Sequence, residues 1–229
     1  ITHRGKTVVD LWGGIADPET GKPWSQDTVT VVWSSTKGAT ALCAHMLAAR
    51  GDLDLFAPVS HYWPEFSQNG KSQITVAMLL THQAGLPVLN LAPSADVYSD
   101  WDEVTSSLAA QAPLWEPGKA QGYHALTFGH LLGEVIRRVC GLSIGQFFRK
   151  EVADPLGLDF WIGLPESLEP RVAPIIAASP QETNHEPNEF ARLALTIPGS
   201  IPNLLLKHSG KILEPGAMNR RIYRAAEIP

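Results

Sequence analysis

Ser34 and Lys37 are the residues of this 229-residue sequence whose types and spacing could do covalent chemistry. Three positions apart on a helix, the two side chains share one face, with Cβ atoms about 5–6 Å apart. A serine hydroxyl becomes a nucleophile when a base takes its proton, and a lysine amine can be that base only when it is neutral. Burial and the positive end of a helix dipole both disfavour the ammonium form. Ser34 and Lys37 are therefore a candidate nucleophile and its base, if Lys37 lies in the first turn of a buried helix.

Two other interpretations of the same stretch are open. An S-x-x-K pattern occurs by chance in many proteins, and Ser34 could cap the helix while Lys37 points into solvent. Ser35 is a second hydroxyl, but it comes two residues before Lys37 and lies about 200° away around a helix. We therefore prefer Ser34 over Ser35 as the candidate nucleophile.

The elements that position this pair can be predicted from composition. Residues 28–33 are β-rich and break off at Ser34. Residues 36–50 are rich in alanine and leucine, which favours a helix, and Gly51 is a typical residue to end it. We expect a strand, then Ser34, then a helix that carries Lys37 in its first turn.

The rest of the chain mixes strand-like and helix-like patterns. Residues 6–16 alternate and are rich in β-branched residues, which predicts a strand with an irregularity at Gly13-Gly14. From Pro165 onward prolines are frequent, so we expect long surface loops with one helix among them. Apolar spacing and capping residues predict helices over residues 74–81, 100–112, 126–139, 143–152 and 188–196.

Composition restricts the class of protein. A chain of 229 residues with 44% hydrophobic and 18% charged residues is typical of one globular domain, or at most two. The net charge of −5 argues against nucleic acid as a partner. No apolar run reaches the roughly 20 residues needed to cross a bilayer, so no membrane partner is expected. Cys43 and Cys140 fall in apolar helical patterns, which favours buried, reduced thiols.

The two ends of the sequence suggest a fragment of a longer domain. The chain opens at Ile1 without a methionine, and residues 224–229 carry no natural stop. We expect residues 1–229 to be a single domain that lacks its N-terminal start and its C-terminal strands. No signal peptide opens the chain, and a cytoplasmic location is the expectation.

Other chemistries have little support in the sequence. The eight histidines include no H-x-x-x-H, H-x-H or HExxH spacing, so we expect no metal. The P-loop and the dinucleotide fingerprint are absent, and no cofactor is expected. His82 follows a predicted buried helix, which favours a structural hydrogen bond over catalysis. We expect Arg137-Arg138 and Arg220-Arg221 to be solvated surface charges.

Three further blocks accompany the S-x-x-K pair in a fixed order. In sequence they are Leu79-Leu80-Thr81-His82-Gln83-Ala84-Gly85-Leu86; Trp115-Glu116-Pro117-Gly118 with Tyr123 and Phe128-Gly129-His130-Leu131-Leu132-Gly133; and Asp154-Pro155-Leu156-Gly157-Leu158. This pattern resembles the serine β-lactamase and penicillin-binding-protein superfamily, and within it class C β-lactamase-like proteins and family VIII carboxylesterases.

The resemblance implies a fold and a set of roles. The fold would be α/β (α+β), with an antiparallel sheet flanked by helices plus a helical region. Ser34 would accept the acyl group, Lys37 would activate it, and Tyr123 would pass a proton to the leaving group or support the base. The backbone N–H of Ser34 would supply one oxyanion donor.

Two departures from the family pattern bear on the substrate. The second motif is often Y-x-N, but here it is Tyr123-His124-Ala125. The absent asparagine places β-lactam binding in doubt and is common among the related esterases. The one match to a third K-T-G-like motif is His208-Ser209-Gly210, in a proline-rich tail without strand alternation, and we expect the true third motif beyond Pro229.

Three residues near the second motif are candidates for substrate binding. Trp115 borders the acyl pocket or packs in the core, and both interpretations are open. His124 lines the pocket or begins a helix, and Ala125 occupies the asparagine position. The leading hypothesis is a metal-independent serine hydrolase that forms an acyl-enzyme and acts as a carboxylesterase on small esters. The alternatives are a β-lactamase or D-Ala-D-Ala peptidase acting on an amide, and a non-catalytic binding protein; the sequence does not indicate the oligomeric state.

Overall fold

Helices provide most of the regular structure in this computed structural model, which describes residues 1–90, 96–176 and 188–229. Two small antiparallel sheets lie ahead of them in the sequence. β1 (Thr2–His3) pairs with β2 (Lys6–Thr7), and β3 (Ile15–Asp17) pairs with β4 (Lys22–Pro23). The predicted mixed α/β class is confirmed, with short strands at the start of the chain and helices from residue 33 onward.

Two predicted strands are wrong in their extent. Residues 6–16 are extended into sheet only at their two ends, and the segment between them leaves side chains such as Leu11 exposed. Residues 28–33 contribute one parallel bridge, from Val29 to Val172, before the chain turns into a helix. Alternation of apolar side chains fixes which face they share, but a strand also needs a neighbour for its backbone hydrogen bonds.

The helix that carries Lys37 is α1 (Thr36–Arg50), and it has the predicted bounds. Its alanine and leucine residues favour the helical conformation. Gly51 ends the helix in the left-handed conformation, with φ 82°, which a residue without a Cβ atom adopts at little cost. Cys43 and Leu47 lie on the buried face, so burial of this face holds the first turn against the rest of the molecule.

The central helix is α4 (Phe128–Cys140), which packs against α1. Its first nine residues are all buried, and Gly141 ends it in the left-handed conformation as predicted. Gly133 allows close packing, because a Cβ atom there would lie 2.6 Å from the ring of Trp101. The hydrophobic core forms around α4 and fixes the start of this helix opposite the first turn of α1.

Two shorter helices before α4 begin at polar caps. α2 (Val76–Leu80) follows Thr75, and α3 (Trp101–Ala110) follows Asp100. In each case the side-chain oxygen of the cap accepts a backbone N–H from the first turn. These caps satisfy N–H groups that have no partner within the helix. Both predicted helices are confirmed, with slightly shorter ends.

The predicted helix over residues 143–152 is confirmed as a composite element. α5 (Ile144–Phe148) begins at a capping box formed by Ser143 and Gln146. It continues through a π-helical turn, Arg149–Ala153, into α6 (Asp154–Leu156).

The expectation of one helix among long loops after Pro165 is wrong. α7 (Glu189–Thr196) is the predicted helix, but α8 (Ile201–His208) packs against it and α9 (Arg221–Ala225) follows. Pro202 lies in the first turn of α8, where the missing N–H of proline costs nothing. The density of prolines therefore does not exclude helices in this region.

Arg137 and Arg138 keep partly exposed side chains, as expected of surface charges, but both are also paired with a buried carboxylate. Both donate hydrogen bonds of 2.7 Å to the carboxylate of Glu134, which is only 1% exposed. Trp101 donates a fourth hydrogen bond to the same carboxylate. Burial by itself raises the pKa of Glu134, but these hydrogen bonds outweigh it and hold the pKa below its ordinary value. Glu134 is therefore a buried, paired charge.

The second arginine pair is also engaged. Arg220 forms a bidentate ion pair with Asp96, at 2.7 and 2.8 Å, and Arg221 pairs with Glu169 at 3.1 Å. Both arginines lie at the surface, as expected, and these contacts tie the start of α9 to earlier parts of the chain.

Two remaining features bear on the class of protein. Among residues 1–90, 96–176 and 188–229, no helix combines the length and the apolar character needed to cross a membrane. Cys43 and Cys140 are both free thiols. Burial, with a smaller contribution from Cys140, raises the pKa of Cys43 to about 12.

We predict that Glu134→Gln destabilises the fold by about 2–3 kcal/mol, because it leaves two arginines around an uncharged group. Free energies of unfolding from urea titration at pH 7 measure the effect. Glu65→Gln is the matched control, because Glu65 pairs with Arg138 but its side chain is 59% exposed. The control should change stability by less than about 1 kcal/mol. Equal effects of the two substitutions would contradict this account of α4.

Candidate active site

Ser34 and Lys37 meet where the chain enters α1. Ser34 lies in a 3-10 turn, Trp33–Ser35, that runs directly into the helix. The Lys37 Nζ atom lies 3.2 Å from the Ser34 Oγ atom, within hydrogen-bond distance. The three-residue spacing therefore brings the two groups together as predicted, although Ser34 itself precedes the α-helix.

The amine of Lys37 is largely enclosed between the first turn of α1 and the start of α4. Besides Ser34, it lies 2.8 Å from the carbonyl oxygen of Ala125 and 3.4 Å from that of Pro229. It also faces the rings of Tyr123 and Phe128, 5.4 and 5.8 Å from their centres. Burial lowers the pKa of Lys37 from 10.5 to about 8, so a useful fraction is neutral near neutral pH.

The three hydrogen-bond partners can also be matched by a neutral amine. A neutral amine has two N–H donors and one lone pair, whereas the ammonium form has three donors and no acceptor. The carbonyls of Ala125 and Pro229 can accept the two N–H groups of the neutral form. The lone pair then faces the Ser34 hydroxyl, which is the geometry for taking its proton.

The backbone immediately before Ser34 is strained. Trp33 has φ 49°, in the left-handed region. This conformation costs a non-glycine residue roughly 1–2 kcal/mol, and it persists only where the surroundings enforce it. The strain sets the direction in which Ser34 enters the turn. Ser34 also lies in the first turn of the helical segment, where N–H groups have no acceptor within the helix.

An apolar cavity of about 470 Å³ opens beside Lys37. Its volume is in the range of sites that bind small organic molecules. Trp33 and Ala125 both contribute to the wall. The rest of the wall is mostly aliphatic and aromatic, and includes Val29, Val31, Phe160, Ile162, Leu164 and Ile212.

Tyr123 lies beside the pair on the solvent side. Its ring centre is 5.4 Å from Lys37 Nζ, and the residue is 52% exposed. The three residues predicted to act together, Ser34, Lys37 and Tyr123, are therefore neighbours in space. The contact between Lys37 and Tyr123 joins parts of the chain that are far apart in sequence.

His124 and Ala125, two of the residues predicted to bind substrate, face different surroundings. Ala125 borders the cavity, whereas the ring of His124 is buried and uses both of its nitrogens. The Nδ1 atom donates to the carbonyl oxygen of Gly122 at 2.6 Å, and Nε2 accepts the N–H of Leu86 at 3.0 Å. This arrangement supports the backbone around Tyr123 and leaves His124 no polar ring atom for a substrate.

Trp115, the third candidate for substrate binding, lies outside the cavity wall. Its ring packs edge-on against His124, with centres 5.9 Å apart, and its Nε1 donates to the carbonyl oxygen of Ala120. A Cβ atom on Gly122 would lie 2.7 Å from this ring. Of the two interpretations left open by the sequence, packing fits these contacts.

Two contributors to the site carried no distinct signal in the sequence. The Phe128 ring over Lys37 belongs to a block that resembles the family, but nothing in its type pointed to the amine. The carbonyl oxygen of Ala125 is a backbone atom, and backbone acceptors are the same in every residue. Their roles arise only from the packing of α1 against α4.

The pattern match to a third motif does not lie on a strand. His208 is the last residue of α8, and Ser209 caps its C-terminal end. The Ser209 hydroxyl is buried and donates to the carbonyl oxygen of Leu206. Within the described ranges, no cluster of three or more His, Cys, Asp or Glu side chains is arranged to hold a metal ion.

Comparison with known proteins identifies the family. The family model described as Beta-lactamase matches residues 1–217. The chain is 45% identical over 174 residues to the esterase/beta-lactamase LipL of Mycobacterium tuberculosis, covering 75% of this chain and 40% of that protein. It is 33% identical over 175 residues to the esterase EstB of Burkholderia gladioli, covering 69% and 44%.

A solved structure agrees with this likeness. The crystal structure of a family VIII carboxylesterase matches with a TM-score of 0.83 and 41% identity, over 97% of this chain and 56% of that one. The chain therefore belongs to the beta-lactamase family, within the superfamily of serine β-lactamases and penicillin-binding proteins, and it has their fold. It spans about two fifths of the length of the curated relatives it matches.

We predict that His124 makes stability depend on pH. Burial lowers the pKa of His124 from 6.5 to about 4, so its contribution is complete above pH 6.5 and is lost as the pH falls towards 4. Between pH 7 and pH 4.5 this loss should amount to about 2–3 kcal/mol.

Urea unfolding of wild type and His124→Gln at both pH values measures the loss. Glutamine does not titrate, so the variant should lose less stability on acidification than the wild type does. An equal loss in the two proteins would show that His124 does not carry this dependence.

Proposed function

We propose that this protein is a serine hydrolase that forms an acyl-enzyme at Ser34 and acts as a carboxylesterase on small esters. The observation that carries the proposal is the 3.2 Å approach of the Lys37 amine to the Ser34 hydroxyl, beside an apolar cavity. The lowered pKa of Lys37 supports its role as the base.

The reaction would proceed in two halves. Lys37 takes the proton of Ser34 while Oγ bonds to the carbonyl carbon of the ester, and the backbone N–H of Ser34 faces the developing oxyanion. The bond to the alcohol then breaks, and the alcohol leaves with a proton from Lys37, by way of Tyr123 or directly. In the second half, water gives a proton to Lys37 while its oxygen bonds to the acyl carbon. The bond from that carbon to Ser34 Oγ then breaks, and Lys37 returns the proton to Oγ, which releases the acid and restores the Ser34 hydroxyl.

An ester is preferred over a β-lactam for two reasons. Ala125 stands where the family often has asparagine, so the site lacks an amide side chain to bind a β-lactam carboxamide. Two of the relatives are named as esterases, and one similar solved structure is that of a carboxylesterase. The name of LipL also includes β-lactamase, so hydrolysis of a β-lactam or a D-Ala-D-Ala peptide is the second candidate.

We predict that Ser34→Ala lowers the hydrolysis of p-nitrophenyl butyrate by about 10³-fold or more, because the nucleophile is lost. Ser35→Ala is the matched control and should keep activity within about twofold of the wild type, since its hydroxyl lies on another face. Nitrocefin turnover in the same samples separates the esterase from the β-lactamase. Wild type that neither turns over a substrate nor labels Ser34 with a fluorophosphonate would favour a non-catalytic binding protein.

We also predict that kcat/KM for the ester rises with pH through an apparent pKa of about 8, because the neutral form of Lys37 is the active one. Steady-state rates between pH 6 and pH 10 give this profile. Lys37→Arg should abolish turnover at every pH, since a guanidinium stays charged. A flat profile in the wild type would exclude Lys37 as the base.

A further inference from the structure

His82 accepts hydrogen bonds from the backbone of the two residues that flank Tyr123 in the sequence. Its carbonyl oxygen accepts the N–H of Gly122 at 3.1 Å, and its Nδ1 atom accepts the N–H of His124, also at 3.1 Å. One residue from an earlier part of the chain thus holds the backbone immediately before and immediately after Tyr123. These two hydrogen bonds fix the direction in which the Tyr123 side chain leaves the backbone.

The imidazole of His82 also supports the rings that surround the Lys37 amine. Its centre lies 5.0 Å from the ring of Tyr123 and 5.0 Å from the ring of Phe128. Lys37 faces the same two rings. His82 therefore packs against the pair of rings behind which the amine is enclosed, without a direct hydrogen bond to Ser34 or Lys37.

His82 adopts an unusual backbone conformation at this position. Its φ of 59° lies in the left-handed region, and its N–H donates to Leu79 at the end of α2. A non-glycine residue stays in this region only where surrounding contacts enforce it, and such residues cluster at functional sites. Asparagine tolerates the left-handed region better than most residues, whereas leucine does not.

We propose that neutral His82 is the positioning residue that holds Tyr123 in place for proton transfer during ester hydrolysis. The inference rests on the proposed function, because it gives Tyr123 a task in that reaction. His82 acts through Tyr123 and touches no reacting atom, so it is not a catalytic residue. The sequence indicated a structural hydrogen bond for His82, and its place around Tyr123 makes that bond part of the site.

The hydrogen bond to His124 restricts the charge state of His82. A backbone N–H can only donate, so Nδ1 must carry a lone pair and the proton lies on Nε2. The titratable groups that face His82 are Lys37, Tyr123 and the His124 ring, whose centre is 5.5 Å away. Burial, and then the charge of Lys37, lower the pKa of His82 and so favour this neutral form. Acidification would break the contact to His124 and add a second positive charge beside Lys37.

The experiment is a double-mutant cycle of His82→Leu and Tyr123→Phe, with p-nitrophenyl butyrate as substrate. His82→Leu removes the acceptor and should lower kcat by about 10–100-fold, with KM within about threefold of the wild type. In the Tyr123→Phe background the same change should cost less than about twofold, because the hydroxyl it positions is already gone. Fluorophosphonate labelling rates at Ser34 give a second readout where turnover is too slow.

Two further variants complete the test. His82→Asn keeps an acceptor oxygen and tolerates the left-handed backbone. Its kcat should therefore be at least about tenfold higher than that of His82→Leu. His45→Leu is the matched control on the exposed surface of α1 and should leave kcat unchanged. Circular dichroism and urea unfolding confirm that each variant is folded.

Additive effects of the two substitutions in a folded protein would overturn the role of His82 and leave the proposed function intact. The same holds if His82→Leu and His82→Asn both equal the wild type. Wild type that fails to hydrolyse the ester, or that hydrolyses it equally well as Ser34→Ala, would overturn the proposed function and this inference with it.

Discussion

The site depends on the burial of one amine, that of Lys37. An exposed lysine is protonated and cannot take a proton, so the chemistry requires that the amine be held away from water. The packing of α1 against α4 does this, because it encloses Nζ between Ser34, the Ala125 carbonyl and the rings of Tyr123 and Phe128. The carbonyl oxygen and the ring faces by themselves favour the ammonium form, so the lowered pKa of Lys37 comes from burial.

Polar contacts hold the segment around Tyr123, residues 122–124. His124 is buried and accepts the N–H of Leu86, while His82 accepts hydrogen bonds from the backbone on both sides of Tyr123. Trp115 packs against Gly122, where a larger residue would not fit. The same residues resemble the family blocks in the sequence, and the structure gives a physical reason for their spacing. They position a loop that carries no regular hydrogen-bonding pattern of its own.

The sequence predicted helices well and strands poorly, and the reason is the same in each case. Helix ends are encoded within a few residues, as with Gly51 after α1 or Asp100 before α3. A strand is completed by hydrogen bonds to a partner that may be distant in sequence, so residues 6–16 and 28–33 have strand composition but little strand structure. The buried partner of Arg137 could not be predicted for a related reason, because only packing reveals that the carboxylate it binds is buried.

The sequence by itself determined the nearness of Ser34 and Lys37, since a three-residue separation at the start of a helix leaves the two side chains little choice. It also determined the family, through blocks whose order is preserved. Only the tertiary structure decided the charge state of the amine and the surroundings of Tyr123 and His124. Burial and contacts between distant segments depend on how helices pack, and no local pattern of residue types contains that information.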